Sequence, residues 1–498
     1  MQRRENKTDR AGLIRLAYWE SLIALRSGGV RVTLAVFGLL LTIAIILGVV
    51  RTQTRQNDSQ MAEKENHLVK EIFRDALQGT LDSSGDAEEP STRQSRLTMQ
   101  LRMTARSPYM VSHSTNLWNF SLYPSPLSAL SVGASNKWPD LYRIYGLSLS
   151  STLERSDRIR PVASVYGPFD VTFVVMTIAP LVVIGLTFNA SSGDRESTLQ
   201  SLVVAQTPSP GNLIAIRCFV RAGLVIGLQA CIVNGGLLIA FSNQFASDIV
   251  VNLAVWNAVA ALYLFTWAGL SLFVNSFAKS SSANGTAMLL LWLILVLLIP
   301  RAVSSAVENA VPTLPESELV ALEKNTIDQA TENIDEVVRR FQDENPGIEL
   351  RPDDQQQMAL VEYLLAHDEA GGMAVENTLA HYSGQTMRAN YLAFCNWISP
   401  AISFRNQSDR CSGNSEQNFV DFTVRAAETQ AGVVKVFLKP SITNEECSVE
   451  TIAELPRLQD SESSRRPLFP SSLQPIAAML LWLAVLVITG TKRFRVRD

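Results

Sequence analysis

The chain has 498 residues, of which 47% are hydrophobic, and a formal net charge of −4. This small charge argues against a nucleic-acid partner, because proteins that bind nucleic acid usually carry a strongly basic surface. The mean hydropathy of +0.11 is unremarkable for the chain as a whole, but the apolar residues are concentrated in a few long runs. The composition therefore indicates a membrane protein with large polar segments.

Six apolar runs are each long enough to cross about 30 Å of hydrocarbon as a helix. They are residues 32–50, 169–188, 222–241, 249–273, 285–303 and 473–490. The arginine-rich segment 1–31 precedes the first run, and the basic tail 491–498 follows the last. Because basic residues favour the cytoplasmic side of a membrane, both termini and the loop at 189–221 are predicted to be cytoplasmic.

Residues 12–26, just before the first span, have the periodicity of an amphipathic helix. Leu16, Trp19 and Ile23 fall near one face, and Arg15 and Arg26 lie elsewhere. Such a helix lies in the plane of the membrane surface, with its aromatic side chains among the lipid headgroups. We therefore predict an N-terminal interfacial helix that contacts membrane lipid.

Two long polar segments, residues 51–168 and 304–472, separate the spans on the other side of the membrane. Helical periodicity is found at 58–78, 313–342, 354–367 and 373–397. No sustained two-residue alternation indicates a large sheet. The sequence therefore predicts an all-α membrane protein with six transmembrane helices, the interfacial helix and a mainly helical extracytoplasmic domain.

The sequence lacks the common motifs of catalysis. The phosphate-binding pattern G-x-x-x-x-G-K-[ST] does not occur, and neither do H-E-x-x-H or G-x-S-x-G. The four histidines have no zinc-binding spacing. We therefore expect this chain to be no enzyme, with no catalytic residue, no metal site, no cofactor and no ATP site of its own.

Two of the five cysteines lie in or beside the third span, and three lie in the second polar segment. An oxidising exterior permits a disulfide, and the candidate pair is Cys411 with Cys447. Cys395 is then left in an apolar run.

Small and polar residues within the spans predict helix contacts. Gly223 and Gly227 form a G-x-x-x-G pattern that allows close packing of helices, and packing within one subunit is favoured over a seam between two subunits. Asn234 and Asn257 are expected to bond to neighbouring helices, with a place on a substrate path as the alternative. Asp170, at the start of the second span, is predicted to cap that helix.

The stretch SSGDRESTLQSLVVAQTPSPGN, residues 191–212, joins the second and third spans. On a helix over 194–206, Leu199 and Leu202 fall on one side, and Asp194 and Glu196 stand at the helix start. A small apolar ridge of this kind suits either a cleft in a partner protein or the lipid surface. The residues alone leave both alternatives open.

The same stretch resembles the permease subunits of type-2 ABC exporters. Their pattern after the second span is roughly [DE]-R-E-x-G-T-L-E-x-L-L followed by proline, and this chain has DRESTLQSLVVAQTP. A closer resemblance is to a subgroup with two large extracytoplasmic insertions, related to the membrane subunit of the copper-maturation transporter of nitrous-oxide reductase. It is carried by GPFDVTFVV at 167–175, WISPA at 397–401 and EQNFVDFTVRAAE at 416–428.

The resemblance implies the permease of an exporter in a bacterial inner membrane, with an unidentified substrate. It implies a homodimer, or a heterodimer with a sister permease, driven by two copies of a separate ATPase that binds ATP and magnesium. The residues it assigns to coupling with that ATPase are Asp194, Arg195, Glu196, Thr198, Leu199 and Leu202. The alternative is a membrane scaffold that transports nothing and transmits mechanical work to a periplasmic partner, since more than half of the chain lies outside the spans.

Overall fold

The fold is seen in a computed structural model, which describes residues 15–78, 99, 103–114, 118–144, 169–196, 210–277, 280–311, 316–348, 355–443, 445–454 and 473–495. Several predictions lie outside these residues. They concern the chain ends, Thr198, Leu199 and Leu202.

Helices make up most of the described chain. The first half contains α1 (residues 15–26), α2 (Gly28–Gln78), α3 (Pro108–Ser114), α4, α5 (Ser192–Glu196), α6 (Pro210–Phe241) and α7 (Ser247–Asn275). The second half contains α8, α9 (Glu316–Glu332), α10 (Ile334–Glu344), α11 (Gln355–Phe394), α12 (Pro400–Cys411), α13 (Glu416–Thr443), α14 (Val449–Glu454) and α15 (Leu473–Arg495). α4 and α8 are each interrupted by a π-helical turn. α4 consists of Val171–Phe173, the π turn Val174–Ile178 and Ala179–Thr187, and α8 of Ser281–Trp292, the π turn Leu293–Leu298 and Ile299–Ala310.

The six predicted spans are confirmed by the helices. Within the described residues, six helical segments are long and apolar enough to cross a membrane, and they contain α2, α4, α6, α7, α8 and α15. α2 has 51 residues, a length of about 75 Å, and therefore continues well beyond its apolar half. The helix predicted over 58–78 is the outer part of α2. The chain is thus an all-α membrane protein that crosses the bilayer several times.

One element among the described residues departs from the helical prediction. Strands β1 (Trp118–Ser121) and β2 (Leu141–Ile144) form a two-stranded antiparallel sheet. The ring of Phe120 stacks on Phe422 of α13, with centroids 5.1 Å apart. Asn66 of α2 donates to the Asn119 carbonyl at 2.8 Å and accepts from the Asn119 amide at 2.7 Å. Because α2 supports β1 and α13 contacts both strands, a sheet too short to stand alone is stable here.

A second departure concerns α11. The sequence predicts separate helices at 354–367 and 373–397, but α11 runs without interruption over Gln355–Phe394 and includes Gly371 and Gly372. A glycine costs a helix about 1 kcal/mol, and the packing of Val361, Leu364 and Leu365 against α13 offsets that cost.

α12 lies deeper among the spans than its sequence suggests. It belongs to the segment 304–472, which was predicted to lie outside the membrane. Pro400, the first residue of α12, shares one small cavity with Trp267 of α7, Leu295 of α8 and Trp482 of α15. These three residues lie well inside their predicted spans, so this segment returns to the level of the membrane-spanning helices. Two arginines, an aspartate and several serine and amide side chains on α12 lower its hydropathy, which is why a hydropathy window passes over it.

The candidate disulfide between Cys411 and Cys447 is not formed. All five cysteines are free, and Cys411 and Cys447 belong to different hydrophobic clusters. Cys411 packs with the spans, whereas Cys447 packs with Phe437 and the outer part of α2. Their side chains are therefore held apart by the packing of two separate cores.

The hydrogen bonds predicted for polar residues of the spans, Asn234, Asn257 and Asp170, are found in the structure. Asn257 donates to Asn234 at 2.9 Å, which confirms a bond between α6 and α7. Asp170 caps α4, since its Oδ1 accepts from the Phe173 amide at 2.7 Å. Its Oδ2 also accepts from the Val132 amide at 2.7 Å and so fixes the segment around Val132, 38 residues earlier in the chain, to the start of α4.

The glycine pattern of α6 does not pack within the described part of this subunit. A Cβ added to Gly223 or Gly227 would meet no described atom within 4 Å. α6 makes its close glycine contact at Gly236, where an added Cβ would lie 3.0 Å from Ile45 of α2. The predicted contact at Gly223 and Gly227 with a helix of the same subunit is therefore not observed, and a seam between two subunits stays a prediction.

Candidate coupling site

The predicted coupling residues begin in a short helix just after α4. A turn at 188–191 leads into α5, Ser192–Glu196, which contains Asp194, Arg195 and Glu196. Asp194 and Arg195 are half-buried, whereas Glu196 is exposed. α5 lies at the end of the bundle where α4 and α7 finish and where α6 and α8 begin, which we term the α5 end.

Asp194 is bound to the start of α6. Arg217 donates from Nη1 to Asp194 Oδ2 at 2.5 Å and to the Ala190 carbonyl at 3.1 Å. The same guanidinium lies 3.6 Å from Glu20 of α1. One arginine of α6 therefore holds both the turn after α4 and α5, which carries the predicted coupling residues.

Arg221 continues this arrangement one helical turn further along α6. It donates from Nη2 to Glu20 Oε1 at 2.9 Å and from Nη1 to the Leu186 carbonyl at 2.6 Å. The carbonyls at the end of a helix have no partner within the helix and carry the negative end of its dipole. The two arginines thus satisfy the end of α4 while two carboxylates balance their charge.

This ion cluster is largely shielded from solvent. The exposed fraction of the side chain is 9% for Glu20, 17% for Arg217, 20% for Arg221 and 25% for Asp194. Shielding strengthens the attraction between opposite charges and makes an unpaired charge costly. Glu20 is the residue that fixes α1 to α6, since it faces both arginines.

Glu196 is bound to the start of α8. Its Oε1 accepts from the Ser281 amide at 2.8 Å, and its Oε2 accepts from Ser281 Oγ at 2.9 Å. Ser281 Oγ is also 2.7 Å from Ser192 Oγ. Because the first amides of a helix lack partners and form the positive end of its dipole, a carboxylate there is favourable. Glu196 therefore connects α5 directly to α8.

Asn275 joins the ends of three spans beneath α5. Its Oδ1 accepts from the Ser191 amide and from Asn284 Nδ2 of α8, both at 3.3 Å, and its Nδ2 donates to the Thr187 carbonyl at 3.2 Å. Asn275 and Asn284 are fully buried. Residue contacts at the α5 end therefore link α4, α7 and α8, in addition to α1 and α6.

Sequence reasoning placed Asp194, Arg195 and Glu196 in this site but missed the residues that hold them. Those residues are Glu20, Arg217, Arg221, Asn275 and Ser281. Two signals were present in the sequence: the basic pair four residues apart at the start of the third span, and the single acid of α1. Neither signal predicts which acid forms an ion pair with which arginine.

Metal-binding groups are absent from the part of the chain that the structure describes. These residues contain no group of three or more histidine, cysteine, aspartate or glutamate side chains able to hold a metal ion. The contacts described at the α5 end are charge pairs and hydrogen bonds between helices.

Residues 211–498 of the chain match the family model described as ABC-2 family transporter protein. The match begins in α6 and covers more than half of the chain, including α12 and α15. No curated protein matches the sequence.

Proposed function

Because the chain belongs to the ABC-2 transporter family, whose members are membrane permeases that work with an ABC ATPase subunit, we propose that it exports a substrate at the expense of ATP hydrolysed by that separate subunit. The proposed assembly has two ATPase copies, which bind ATP and magnesium, and a dimer of this chain or of this chain with a sister permease. We place it in a bacterial inner membrane, with both termini in the cytoplasm. We also assign it to the subgroup with two large extracytoplasmic insertions.

The proposal places contact with the ATPase on the segment that starts in α5. The observation that supports it best is that α5 is bound to two spans at once, through Asp194 to Arg217 of α6 and through Glu196 to Ser281 of α8. A displacement of α5 must therefore move α6 and α8 or break those bonds. Closure of the ATPase dimer on ATP would displace α5, and the spans would shift between two arrangements.

Docking is proposed to depend on the apolar ridge, and its test uses residues beyond α5. We expect the double substitution Leu199→Asp and Leu202→Asp to abolish association with the ATPase, because two carboxylates would replace the apolar contact. The measurement is affinity purification of the full chain from its native host, with identification of co-purifying ATPase by mass spectrometry and by ATP hydrolysis.

The control is Asn243→Lys, an exposed substitution in the turn between α6 and α7, at the opposite end of the bundle. It should leave co-purification at the level of the natural chain. Membrane insertion of every variant is checked by extraction and size-exclusion chromatography. Undiminished ATPase association in the Leu199→Asp, Leu202→Asp chain would rule out the docking role.

Transmission is tested separately, because Asp194 and Glu196 bind different spans. Single cysteines placed at the exposed positions Asn212 of α6 and Ser282 of α8 report movement of each helix through their labelling rate. The exposed Cys231 and the half-buried Cys395 are replaced by serine in this background. Glu196→Ala should remove the ATP-dependent change at position 282 and keep the change at position 212.

The converse is expected for Asp194→Ala, which should remove the ATP-dependent change at position 212 and keep that at position 282. The reason is that each carboxylate bonds to only one of the two helices, Asp194 to α6 and Glu196 to α8. Equal losses at both positions in both variants would contradict this division of roles.

A further inference from the structure

Two spans carry the same irregularity. In α4 the π turn Val174–Ile178 is followed by Pro180, and in α8 the π turn Leu293–Leu298 is followed by Pro300. In a π turn each amide bonds five residues back rather than four, so the helix is locally wider. A proline has no amide hydrogen, and a carbonyl before it loses its partner.

In α4 the amide of Ala179 bonds to the Val174 carbonyl, five residues back, and Pro180 has no amide hydrogen to offer the Val175 or Met176 carbonyl. The hydroxyl of Tyr263, from α7, donates to the Met176 carbonyl at 2.7 Å. The next carbonyl, that of Thr177, accepts from Trp292 Nε1 of α8 at 3.0 Å. Tyr263 is fully buried. Side chains from two neighbouring helices therefore bond to successive carbonyls of α4 at its π turn, next to the proline that has no amide to offer.

In α8 the amide of Ile299 bonds to the Ile294 carbonyl, five residues back. With the same five-residue spacing, the Leu295 carbonyl would accept from the amide of residue 300. That residue is Pro300, which has no amide hydrogen. Ser399 Oγ, at the start of α12, donates to the Leu295 carbonyl at 2.7 Å. Ser399 is fully buried as well. A hydroxyl at the start of α12 thus bonds to a carbonyl at the π turn of α8, as a hydroxyl of α7 does at the π turn of α4.

A carbonyl without a partner in hydrocarbon costs several kcal/mol. Here the partner belongs to another helix, so the bond lasts only while the two helices keep their present positions. Ordinary backbone bonds within a helix have no such dependence. When the hydroxyl of the neighbouring helix moves away, such a span can bend at its π turn. Elsewhere the span is kept straight by its own backbone hydrogen bonds.

We propose that the π turns of α4 and α8 are the hinges at which these spans bend during transport, and that Tyr263 and Ser399 are positioning residues that hold both hinges in the present conformation. The part that concerns transport rests on the proposed function. The two hinges are connected through α12, because the Tyr263 ring also stacks on Phe404 of α12 with centroids 5.0 Å apart. Movement of α12 would withdraw support from both hinges together.

The first test measures hydrogen–deuterium exchange of the full chain in lipid nanodiscs, without any ATPase. Tyr263→Phe keeps the ring and removes only the hydroxyl, and should speed exchange about fivefold in residues 172–186. Ser399→Ala should do the same in residues 290–304. Tyr263→Phe should leave exchange in residues 290–304 unchanged, and Ser399→Ala should leave exchange in residues 172–186 unchanged.

Matched controls lose a buried hydroxyl whose bond stays within its own segment. Thr266 donates to the Leu262 carbonyl inside α7, and Ser403 donates to the Asn396 carbonyl beside α12. Thr266→Val and Ser403→Ala should leave exchange at both π turns unchanged. Because Ser399 also caps α12 through the Ala401 amide, Ser399→Thr, which keeps the hydroxyl, should restore slow exchange. Exchange at the π turns that is unaltered in Tyr263→Phe and Ser399→Ala, or that rises equally in the controls, would overturn the proposal.

The second test compares the permease–ATPase complex without nucleotide and trapped with ATP and vanadate. Exchange at both π turns should differ between the two states. If exchange changes at α5 but not at the π turns, the hinge role is refuted while coupling through α5 stands. If no ATPase associates with the chain at all, the proposed function fails, and the nanodisc result decides the role of Tyr263 and Ser399 by itself.

Discussion

Glu20→Ala is expected to lower the free energy of unfolding by about 2–3 kcal/mol, because it leaves shielded positive charge without its partner. Glu20 accepts from Arg221 at 2.9 Å and lies 3.6 Å from Arg217. Its removal leaves two shielded guanidinium groups close together, while Asp194 stays paired with Arg217. An uncompensated charge in such a place costs more than the bond itself contributed.

The measurement is the thermal midpoint of the detergent-solubilised chain, followed by fluorescence-detected size-exclusion chromatography. Glu63→Ala is the matched control, since Glu63 is an exposed acid on α2, and its loss should change stability by less than about 0.5 kcal/mol. The thermal midpoint of Glu20→Gln should lie between those of Glu20→Ala and Glu63→Ala, because the amide oxygen still accepts a hydrogen bond but carries no charge. Equal midpoints for Glu20→Ala and Glu63→Ala would show that the cluster does not stabilise the bundle.

Gly48→Ala is expected to be destabilising by about 2–3 kcal/mol, because it forces two backbone segments apart. A Cβ added to Gly48 of α2 would overlap the carbonyl of Ala129, at the end of the 3-10 turn Pro126–Ala129. Ala129 is fully buried, and its carbonyl is backbone, so neither partner can move aside by a change of rotamer. The same thermal measurement reports the loss.

Gly227→Ala provides the control, with the same added methyl group in another span. No described atom lies within 4 Å of the Cβ it would add. Alanine is also the better helix former, so this variant should be at least as stable as the natural chain when it is monomeric. A loss for Gly227→Ala as large as that for Gly48→Ala would mean that a second subunit packs on that face of α6.

The membrane-spanning helices could be predicted from the sequence alone. Burial of apolar side chains in hydrocarbon depends on each run of residues separately, so runs such as 32–50 and 249–273 identify α2 and α7 without knowledge of the fold. Helix starts are similarly local: Asp170 has a carboxylate that reaches an amide three residues ahead in its own chain. The sequence therefore determined the fold class, the spans and this cap.

Partners distant in the chain were decided only by the tertiary structure. Glu20 and Arg221 are 201 residues apart, and Glu196 and Ser281 are 85 apart. The charge of Asp194 or Glu196 predicts that each will find a donor, but every arginine and every helix start in the chain offers one. Which donor is used depends on how the helices pack.

The same reasoning explains the remaining differences. α12 enters the bundle although its sequence is polar, because buried hydroxyls such as that of Ser399 bond to carbonyls that Pro300 and its π turn leave without partners. Gly223 and Gly227 match a packing pattern, yet the close backbone approach falls at Gly48. Transfer into hydrocarbon and helix capping act over a few neighbouring residues and can be read from the sequence. Polar pairing between helices and close backbone contact depend on the packed arrangement, and only the tertiary structure supplied them.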